Sequence, residues 1–314
     1  MNAPEQFHMD LIGDLKILYN SSLMELGYPD QINDDVETLG MKFANALRRR
    51  LQVKPRRFRE PKIMSIPTEV SAGYYAFVKK VERGDDLSPH LSTRIEDAGY
   101  NDPLLNSFNI FHFHLGEELH PQKANFVKRT RVLLFAMVTD SDFYALEILP
   151  HDHPDAFFRQ EFIDVLHENW SSELKHLQYV GATCAEPRPS NKDFKLLRDN
   201  GINTFLRSMD GTIYKGGFGV TSAGGKSKHF GVRAVGDAVK IVKSVNSLES
   251  LIRAKFSTLD DFLHRNGGCT PYKFSLVILN NEPVVLETSS GFMFRRGFQK
   301  VDASVEEKLV MWRS

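Results

Sequence analysis

The sequence has little cysteine, no excess of charge of either sign and no long hydrophobic run. Its two cysteines, Cys184 and Cys269, have no CxxC spacing, so we expect neither a disulfide scaffold nor a zinc ribbon. Lysine plus arginine equals aspartate plus glutamate at 40 each, so no overall field favours nucleic acid or a membrane. The apolar run Val132 to Val138 is too short to span a bilayer, and residues 1–10 lack the features of a secretory leader. We therefore expect a globular cytoplasmic protein with no membrane partner.

Apolar periodicity predicts an α+β fold. Helical spacing is found over residues 9–27, 34–51, 71–82, 88–98, 156–170 and 245–264. Three β-prone runs, IFHFHL, VLLFAMVT and FYALEIL, lie in the middle of the chain, and YKFSLVILNNEPVVLETS reads as a hairpin that turns at Asn280 and Asn281. The proline-containing stretch 184–193 is the best candidate linker.

These elements predict three regions. Residues 1–60 form an N-terminal helical region with a basic segment, and residues 61–183 form a central α+β domain, a small antiparallel sheet with flanking helices. Residues 190–314 form a second α+β module. Its glycine-rich segment, 210–225, does not match a phosphate-binding loop, because five residues separate Gly219 from Gly225 where the motif requires four. Lys226 and Lys228 could still contact an anion.

The strongest charge feature is RRRLQVKPRRFREPK, residues 48–62, with eight basic side chains and one glutamate. Clustered arginines bind phosphate well. An alternative is a solvated surface neutralised by residues 1–40, which contain eight acidic side chains and one lysine. The candidate nucleic-acid-binding residues are Arg48, Arg49, Arg50, Lys54, Arg56, Arg57 and Arg59.

The stretch NIFHFHLG, residues 109–116, places His112 and His114 two positions apart in an apolar run. In a strand these two side chains project to the same face, while the phenylalanines face the other way. With Glu118 they form HxHxxxE, a spacing that could hold iron, manganese or zinc together with His151 or His153. A metal site and a purely structural pair are therefore two alternatives.

A third interpretation uses the same region without a metal. Lys128, Arg129 and Arg131 precede the second strand, Tyr144 lies in the third, and His151 follows it. On neighbouring antiparallel strands, His114, Arg129, Tyr144 and His151 could converge. Metal-free RNA cleavage needs a base for the 2′-hydroxyl, a cation for the phosphate and an acid for the leaving 5′-oxygen, and these side chains can fill those roles. Alternatively, Tyr144 is an ordinary strand aromatic and His151 a polar strand end.

The order of two helices, NIFHFHLG, KRTRVLLFAMVTDSDFYALEILPH and a closing helix resembles the RelE-like toxin ribonucleases, part of a wider barnase-like group, over about residues 70–170. The resemblance implies a cytoplasmic ribonuclease that inhibits growth and is restrained by an antitoxin. It also implies that Lys128, Arg129 and Arg131 stabilise the phosphate, that Tyr144 is the strand aromatic, and that His151 is the general acid or base. Many members lack paired histidines, which leaves two alternatives here: one of the two is the base, or both support the fold.

The leading prediction is a metal-independent endoribonuclease of toxin or phage-defence type, with no cofactor, with RNA as substrate and with an antitoxin or other protein as partner. Two alternatives stay open, a non-enzymatic nucleic-acid- or protein-binding regulatory protein and a His-liganded metalloenzyme. The candidate catalytic residues are His112, His114, Lys128, Arg129, Tyr144 and His151.

Overall fold

The computed structural model describes residues 7–181, 188–214, 220–222, 229–279, 282–295 and 300–301. Its α-helices are α1 Leu11–Glu25, α2 Val36–Arg48, α3 Ser71–Arg83, α4 Pro103–Phe108, α5 Glu161–Trp170, α6 Asn191–Asp199, α7 Val232–Ala254 and α8 Phe256–Arg265. Its strands are β1 Phe7–Met9, β2 Arg57–Arg59, β3 Ile110–His114, β4 Leu119–His120, β5 Lys123–Val127, β6 Val132–Val138, β7 Asp142–Pro150, β8 Leu206–Arg207, β9 Ile213–Tyr214, β10 Val220–Ser222, β11 His229–Gly231, β12 Tyr272–Leu279, β13 Glu282–Glu287, β14 Met293–Phe294 and β15 Lys300–Val301. The fold is α+β, as the sequence predicts.

The chain divides into two compact units at positions that differ from the predicted boundaries. Met1–Leu47 and Ala234–Ser314 make one unit, and Arg48–Arg233 makes the other. The N-terminal helices group with the C-terminal segment because β1 pairs in parallel with β12. The backbone N–H of Leu276 also donates to the Asp14 carboxylate at 2.7 Å. Local periodicity cannot reveal such a pairing between the two ends of the sequence, so the predicted split at residues 60 and 190 does not match the structure.

The central unit contains a four-stranded sheet in the order β2-β7-β6-β3. The three predicted strands are present as antiparallel neighbours, and β2 adds a parallel strand that the sequence prediction missed. The turn between β6 and β7 is closed by the N–H of Thr139, which donates to the carbonyl of Asp142 at 2.9 Å. In this order β3, which carries the paired histidines, is an edge strand.

Helix α3 covers one face of this sheet. Its apolar residues recur at helical spacing and are buried at Tyr74, Phe77 and Val81. The ring of Phe77 lies 5.1 Å from that of Phe113 in β3. The helix ends at Gly84, whose φ of +79° suits glycine and whose N–H reaches the carbonyls of the last turn.

Helices α4, α5 and α6 contribute buried side chains to the other face. Phe162 of α5 stacks on Phe135 of β6 at 5.0 Å, and Trp170 packs edge-on against Tyr144 of β7 at 5.0 Å. Phe194 of α6 is fully buried in the same cluster. The central sheet is therefore covered on both faces, as a helix–sheet–helix arrangement.

Helix α4 leads the chain directly into β3. The Asp102 carboxylate accepts the N–H groups of Leu104 at 3.1 Å and Leu105 at 2.9 Å, which begins the helix at a proline. Asn109 ends it in the left-handed conformation, with φ of 58°, and β3 starts at the next residue. The histidine-bearing strand is thus fixed at its start by local capping.

The segment predicted as one helix over 88–98 instead contains two 3₁₀ turns, Ser88–His90 and Thr93–Glu96. The reason is that Leu91 and Ser92 adopt extended backbone, with ψ of 168° and 141°. Further 3₁₀ turns lie at Thr68–Val70 and Lys175–Leu177.

The other unit is built on a sheet in the order β1-β12-β13-β14-β15. Helix α1 lies against β12 and buries Leu11, Leu15 and Leu23. The helix predicted over 245–264 is two helices, α7 and α8, which break at Lys255. None of the helices in the described ranges combines the length and the apolar character that crossing a bilayer requires.

Several sequence predictions fall outside the described residues. These are Cys184 with residues 185–187 of the linker stretch, residues 215–219 and 223–225 of the glycine-rich segment with Lys226 and Lys228, and the hairpin turn at Asn280 and Asn281.

Candidate functional site

The two predicted histidines lie on the same side of β3, as strand alternation requires. His112 pairs with Phe135 of β6, and His114 pairs with Leu133 of the same strand. The His112 ring contacts Phe157 edge-on at 5.2 Å, on the face of the sheet that α5 covers. The intervening Phe113 faces α3 on the opposite side.

His114 is a buried and neutral imidazole. Its side chain is 2% exposed, and its Nδ1 accepts the backbone N–H of Thr130 at 3.3 Å. Burial and the positive charge of Arg129 lower the pKa of His114 to about 3. A ring that accepts at Nδ1 and is neutral carries its proton on Nε2, and that atom has no partner among the described residues. His114 therefore offers an N–H donor rather than a proton acceptor.

His112 is buried in a different environment. Burial is the main cause that lowers its pKa, and the nearby charge of Arg129 acts in the same direction, while Asp102 opposes it. Its Nδ1 is buried without a hydrogen-bond partner within the described ranges. The two histidines thus share a face of β3 but differ in their neighbours.

His151 and Arg129 complete a cluster at one end of the sheet. His151 follows β7, is exposed, and is fixed by its backbone N–H, which donates to the carbonyl of Arg131 at 2.7 Å. Its ring is stacked nearly parallel to the His114 ring, at 6.1 Å between centroids and 18° between planes. The exposed Arg129 donates to the Thr93 hydroxyl at 3.3 Å and acts electrostatically on both buried histidines. Four of the six candidate catalytic residues are therefore brought together.

Tyr144 and Lys128 do not join this cluster. Tyr144 is buried in β7 opposite Met137 of β6. His114 lies opposite Leu133 of β6, and Leu133 lies opposite Leu149 of β7. A separation of five strand residues is about 16 Å. The Tyr144 hydroxyl donates instead to Glu173. Lys128 forms an exposed ion pair with Glu118. The position of Tyr144 corrects its predicted convergence with His114, Arg129 and His151.

Several side chains of the basic segment have partners within the fold, and nucleic-acid binding by this segment stays a prediction. Arg49 and Arg56 are buried and donate to backbone carbonyls, including those of Arg94 at 2.9 Å and Thr139 at 3.0 Å. Arg48 donates to the side chain of Asn106 at 3.1 Å, and Arg50 is half-buried.

Two carboxylates at the turn between β6 and β7 and at the start of β7 pair with three basic side chains of the segment. Lys54 pairs with Asp140, and Arg57 and Arg59 pair with the buried Asp142 at 2.8 and 3.2 Å. Burial alone would raise the pKa of Asp142, but the hydrogen bonds from Arg57 and its neighbours outweigh burial and hold that pKa below its usual range.

Sequence reasoning missed His90, which lies directly beneath β3. Its Nδ1 is 2.7 Å from the carbonyl oxygen of His114, and its Nε2 is 2.9 Å from the ammonium of Lys80. The ammonium can only donate, so the ring accepts at Nε2 and donates from Nδ1. Burial lowers the pKa of His90 to about 4. The sequence around His90, SPHLS, contains no motif that would have identified it.

A second group of titratable side chains was also missed. His167 of α5 lies 2.5 Å from the Tyr214 hydroxyl through Nδ1 and 3.0 Å from the Asp210 carboxylate through Nε2. Hydrogen bonds from Ser208 and Thr212 lower the pKa of Asp210. The three residues come from α5, β9 and the loop before β9, and no sequence spacing links them.

Within the described part of the chain, no three His, Cys, Asp or Glu side chains are placed so that they could hold a metal ion. Glu118 of the HxHxxxE pattern is instead engaged by Lys128.

No family model, curated protein or solved structure matches the chain, so the resemblance to RelE-like ribonucleases stays a prediction.

Proposed function

We propose that the central unit is a metal-independent endoribonuclease of toxin or defence type, with its site at His114, Arg129 and His151. The observation that carries the proposal is the exposed His151 ring stacked on the buried, neutral His114, with the Arg129 guanidinium at the same end of the sheet. An exposed imidazole and a cation can supply the base and the charge stabilisation that phosphoryl transfer without a metal needs.

Each group has a distinct role in this proposal. His151 contacts the RNA and takes the proton of the 2′-hydroxyl, whose oxygen attacks the adjacent phosphorus. Arg129 offsets the charge that builds on the phosphate oxygens. The buried His114 ring does not touch the substrate, and its role is to position the His151 ring that stacks on it. The 5′-oxygen leaves with a proton from water, and a cyclic 2′,3′-phosphate remains.

The roles of RNA as substrate and of a protein antitoxin as partner are supported by the resemblance and by this cluster. An antitoxin would need only to cover the exposed His151 and Arg129 to prevent RNA from reaching the cluster.

The test is RNA cleavage in the presence of EDTA. We expect the wild-type protein to cleave unstructured RNA and to leave cyclic phosphate ends, and His151→Ala and Arg129→Gln to lose at least about a hundredfold in rate. His176→Ala replaces another exposed histidine of the same unit and should cleave like wild type. Cleavage that disappears with EDTA, or that survives His151→Ala, would refute the proposal.

A second candidate is a non-enzymatic binding protein, and the burial of His112 and His114 favours it. In that case the buried imidazoles serve packing alone, and His151→Ala changes neither RNA integrity nor stability. Intact RNA after incubation with wild type, with or without added metal, would move the conclusion to this candidate.

A further inference from the structure

A buried histidine contacts the end of the edge strand β3. His90 closes the 3₁₀ turn Ser88–His90 and is 2% exposed. Its Nδ1 lies 2.7 Å from the carbonyl oxygen of His114, the last residue of β3. Because β3 lies at the edge of its sheet, this contact attaches a segment from outside the sheet to the strand that carries His114.

The partners of the two ring nitrogens allow one protonation pattern for His90. Its Nε2 lies 2.9 Å from the Lys80 ammonium, which can only donate, and the carbonyl oxygen beside its Nδ1 can only accept. Burial lowers the pKa of His90 to about 4, so the ring is neutral and carries its proton on Nδ1. A buried polar group with both nitrogens satisfied favours a single geometry, and this geometry determines where the end of β3 lies.

Aromatic packing holds the His90 ring from the side. The ring lies edge-on against Phe77 of α3, with 4.9 Å between the centroids. Phe77 in turn lies 5.1 Å from the ring of Phe113 in β3. Since protein interiors are close-packed, a ring that is held by both packing and hydrogen bonds cannot follow a shift of the strand without a cost.

The carbonyl that His90 holds belongs to the residue beside the proposed base. The ring of His114 is nearly parallel to the ring of His151, and its Nδ1 accepts the backbone N–H of Thr130 at 3.3 Å. A shift of the His114 backbone moves its ring as well, and therefore changes the surface on which the His151 ring rests. A displacement of about 1 Å at a reacting group can lower a rate about a hundredfold.

The same part of the chain also contacts the proposed cation. Arg129 donates to the hydroxyl of Thr93 at 3.3 Å, and Thr93 begins the 3₁₀ turn Thr93–Glu96. Residues 88–96 therefore contact the proposed site twice, at the backbone of His114 and at the side chain of Arg129.

We propose that His90 is a positioning residue of the ribonuclease site, and that it acts by donating its Nδ1–H to the carbonyl of His114. The inference rests on the proposed function, since it assigns His90 to the reaction of His151 and Arg129. His90 contacts neither the RNA nor the reacting atoms. Loss of its hydrogen bond therefore lowers kcat and leaves KM unchanged, because RNA binding does not involve it.

The test compares two replacements that both remove the buried ring. Asparagine places its amide nitrogen where Nδ1 stands and can still donate to the His114 carbonyl, whereas glutamine places its amide at the position of Nε2. With unstructured RNA and EDTA, we expect His90→Asn to keep kcat within about threefold and His90→Gln to lose at least about tenfold, with KM unchanged in both. His176→Gln replaces an exposed histidine of the same unit and should cleave like wild type.

Hydrogen exchange of single amides gives a readout that needs no cleavage. The Thr130 amide donates to the His114 ring, so its exchange rate reports whether that ring is in place. It should exchange at least about tenfold faster in His90→Gln than in His90→Asn, which should match wild type. The Thr139 amide, which donates to the Asp142 carbonyl at the other end of the sheet, should exchange equally in both variants and serves as the control for global destabilisation.

Together the two measurements distinguish failure of this proposal from failure of the ribonuclease. If wild type cleaves nothing but Thr130 exchange rises only in His90→Gln, His90 does position His114 and the ribonuclease alone fails. If wild type cleaves and the two variants agree in kcat and in Thr130 exchange, the positioning role fails and the ribonuclease stands. A raised KM with unchanged kcat in His90→Gln would also overturn the positioning role.

Discussion

The protonation of His114 predicts a specific loss of stability in acid. The pKa of His114 is lowered to about 3 in the folded protein by burial and by Arg129, whereas an unfolded chain gives histidine its ordinary value of about 6.5. Between these values the unfolded chain binds a proton that the folded chain does not, so the free energy of unfolding falls as the pH falls. The contribution is complete above pH 6.5 and is lost progressively down to about pH 3.

The size of the effect follows from linkage. At pH 5 an unfolded histidine is protonated in a ratio of about 30 to 1, which corresponds to about 2 kcal/mol of lost stability from His114 alone. That is a large part of the stability of an ordinary domain, about 5–15 kcal/mol. His90, whose pKa is lowered to about 4 by burial, acts in the same direction in every variant compared below.

The assay compares wild type with His114→Gln, whose side-chain oxygen can still accept the Thr130 N–H but does not titrate. Urea unfolding at pH 7.5 and pH 5.0 can be followed by fluorescence of the buried Trp170, with Trp312 replaced by phenylalanine in all samples. Between the two pH values wild type should lose about 2 kcal/mol more than His114→Gln, and His176→Gln should behave like wild type. Equal losses in wild type and His114→Gln would refute the assignment of His114 as a buried neutral imidazole.

Three other perturbations test the packing around the site. Gly84→Ala should lower stability by at least about 2 kcal/mol, because φ is +79° and a Cβ would lie 2.3 Å from the nitrogen of Pro55; an unchanged Tm would contradict the αL ending of α3. Phe77→Ala removes a fully buried ring and should cost about 3–5 kcal/mol in chemical unfolding, so a loss under 1 kcal/mol would speak against this core. Asp142→Asn removes the charge paired with Arg57, and we expect about 2 kcal/mol of destabilisation at pH 7 that shrinks near pH 3, in a urea titration at both pH values.

Helices and strands with strong local signals were predictable from the sequence, and their pairing was not. The run VLLFAMVT and the helix with Tyr74 and Phe77 lie within a few residues of their predicted limits, because period and burial agree there. The parallel pairing of β1 with β12 depends on contacts between segments that are far apart in the sequence. The periodicity of either segment does not reveal such contacts. The helix predicted over 88–98 failed because extended backbone at Leu91 interrupts it.

The part of the candidate site that could be predicted is the part that depends only on the alternation of side chains along a strand. The i, i+2 rule correctly put His112 and His114 on one face. It could not predict how far Tyr144 lies from the histidines, because that distance depends on the register of β7 against β6. Nor could it anticipate that Asp142, which follows a tight turn, would pair with Arg57 and Arg59 of the basic segment. His90 and His167 gave no linear signal, since their partners come from other elements.

The environments of His112 and His114 differ although strand geometry makes them equivalent. The ring of Phe157 packs edge-on against His112, whereas the exposed ring of His151 stacks beside His114. Since a neutral imidazole takes its role from the partner of each ring nitrogen, two histidines on the same face of one strand can have different roles. A double replacement would merge these effects, so only single variants can separate the contribution of His112 from that of His114.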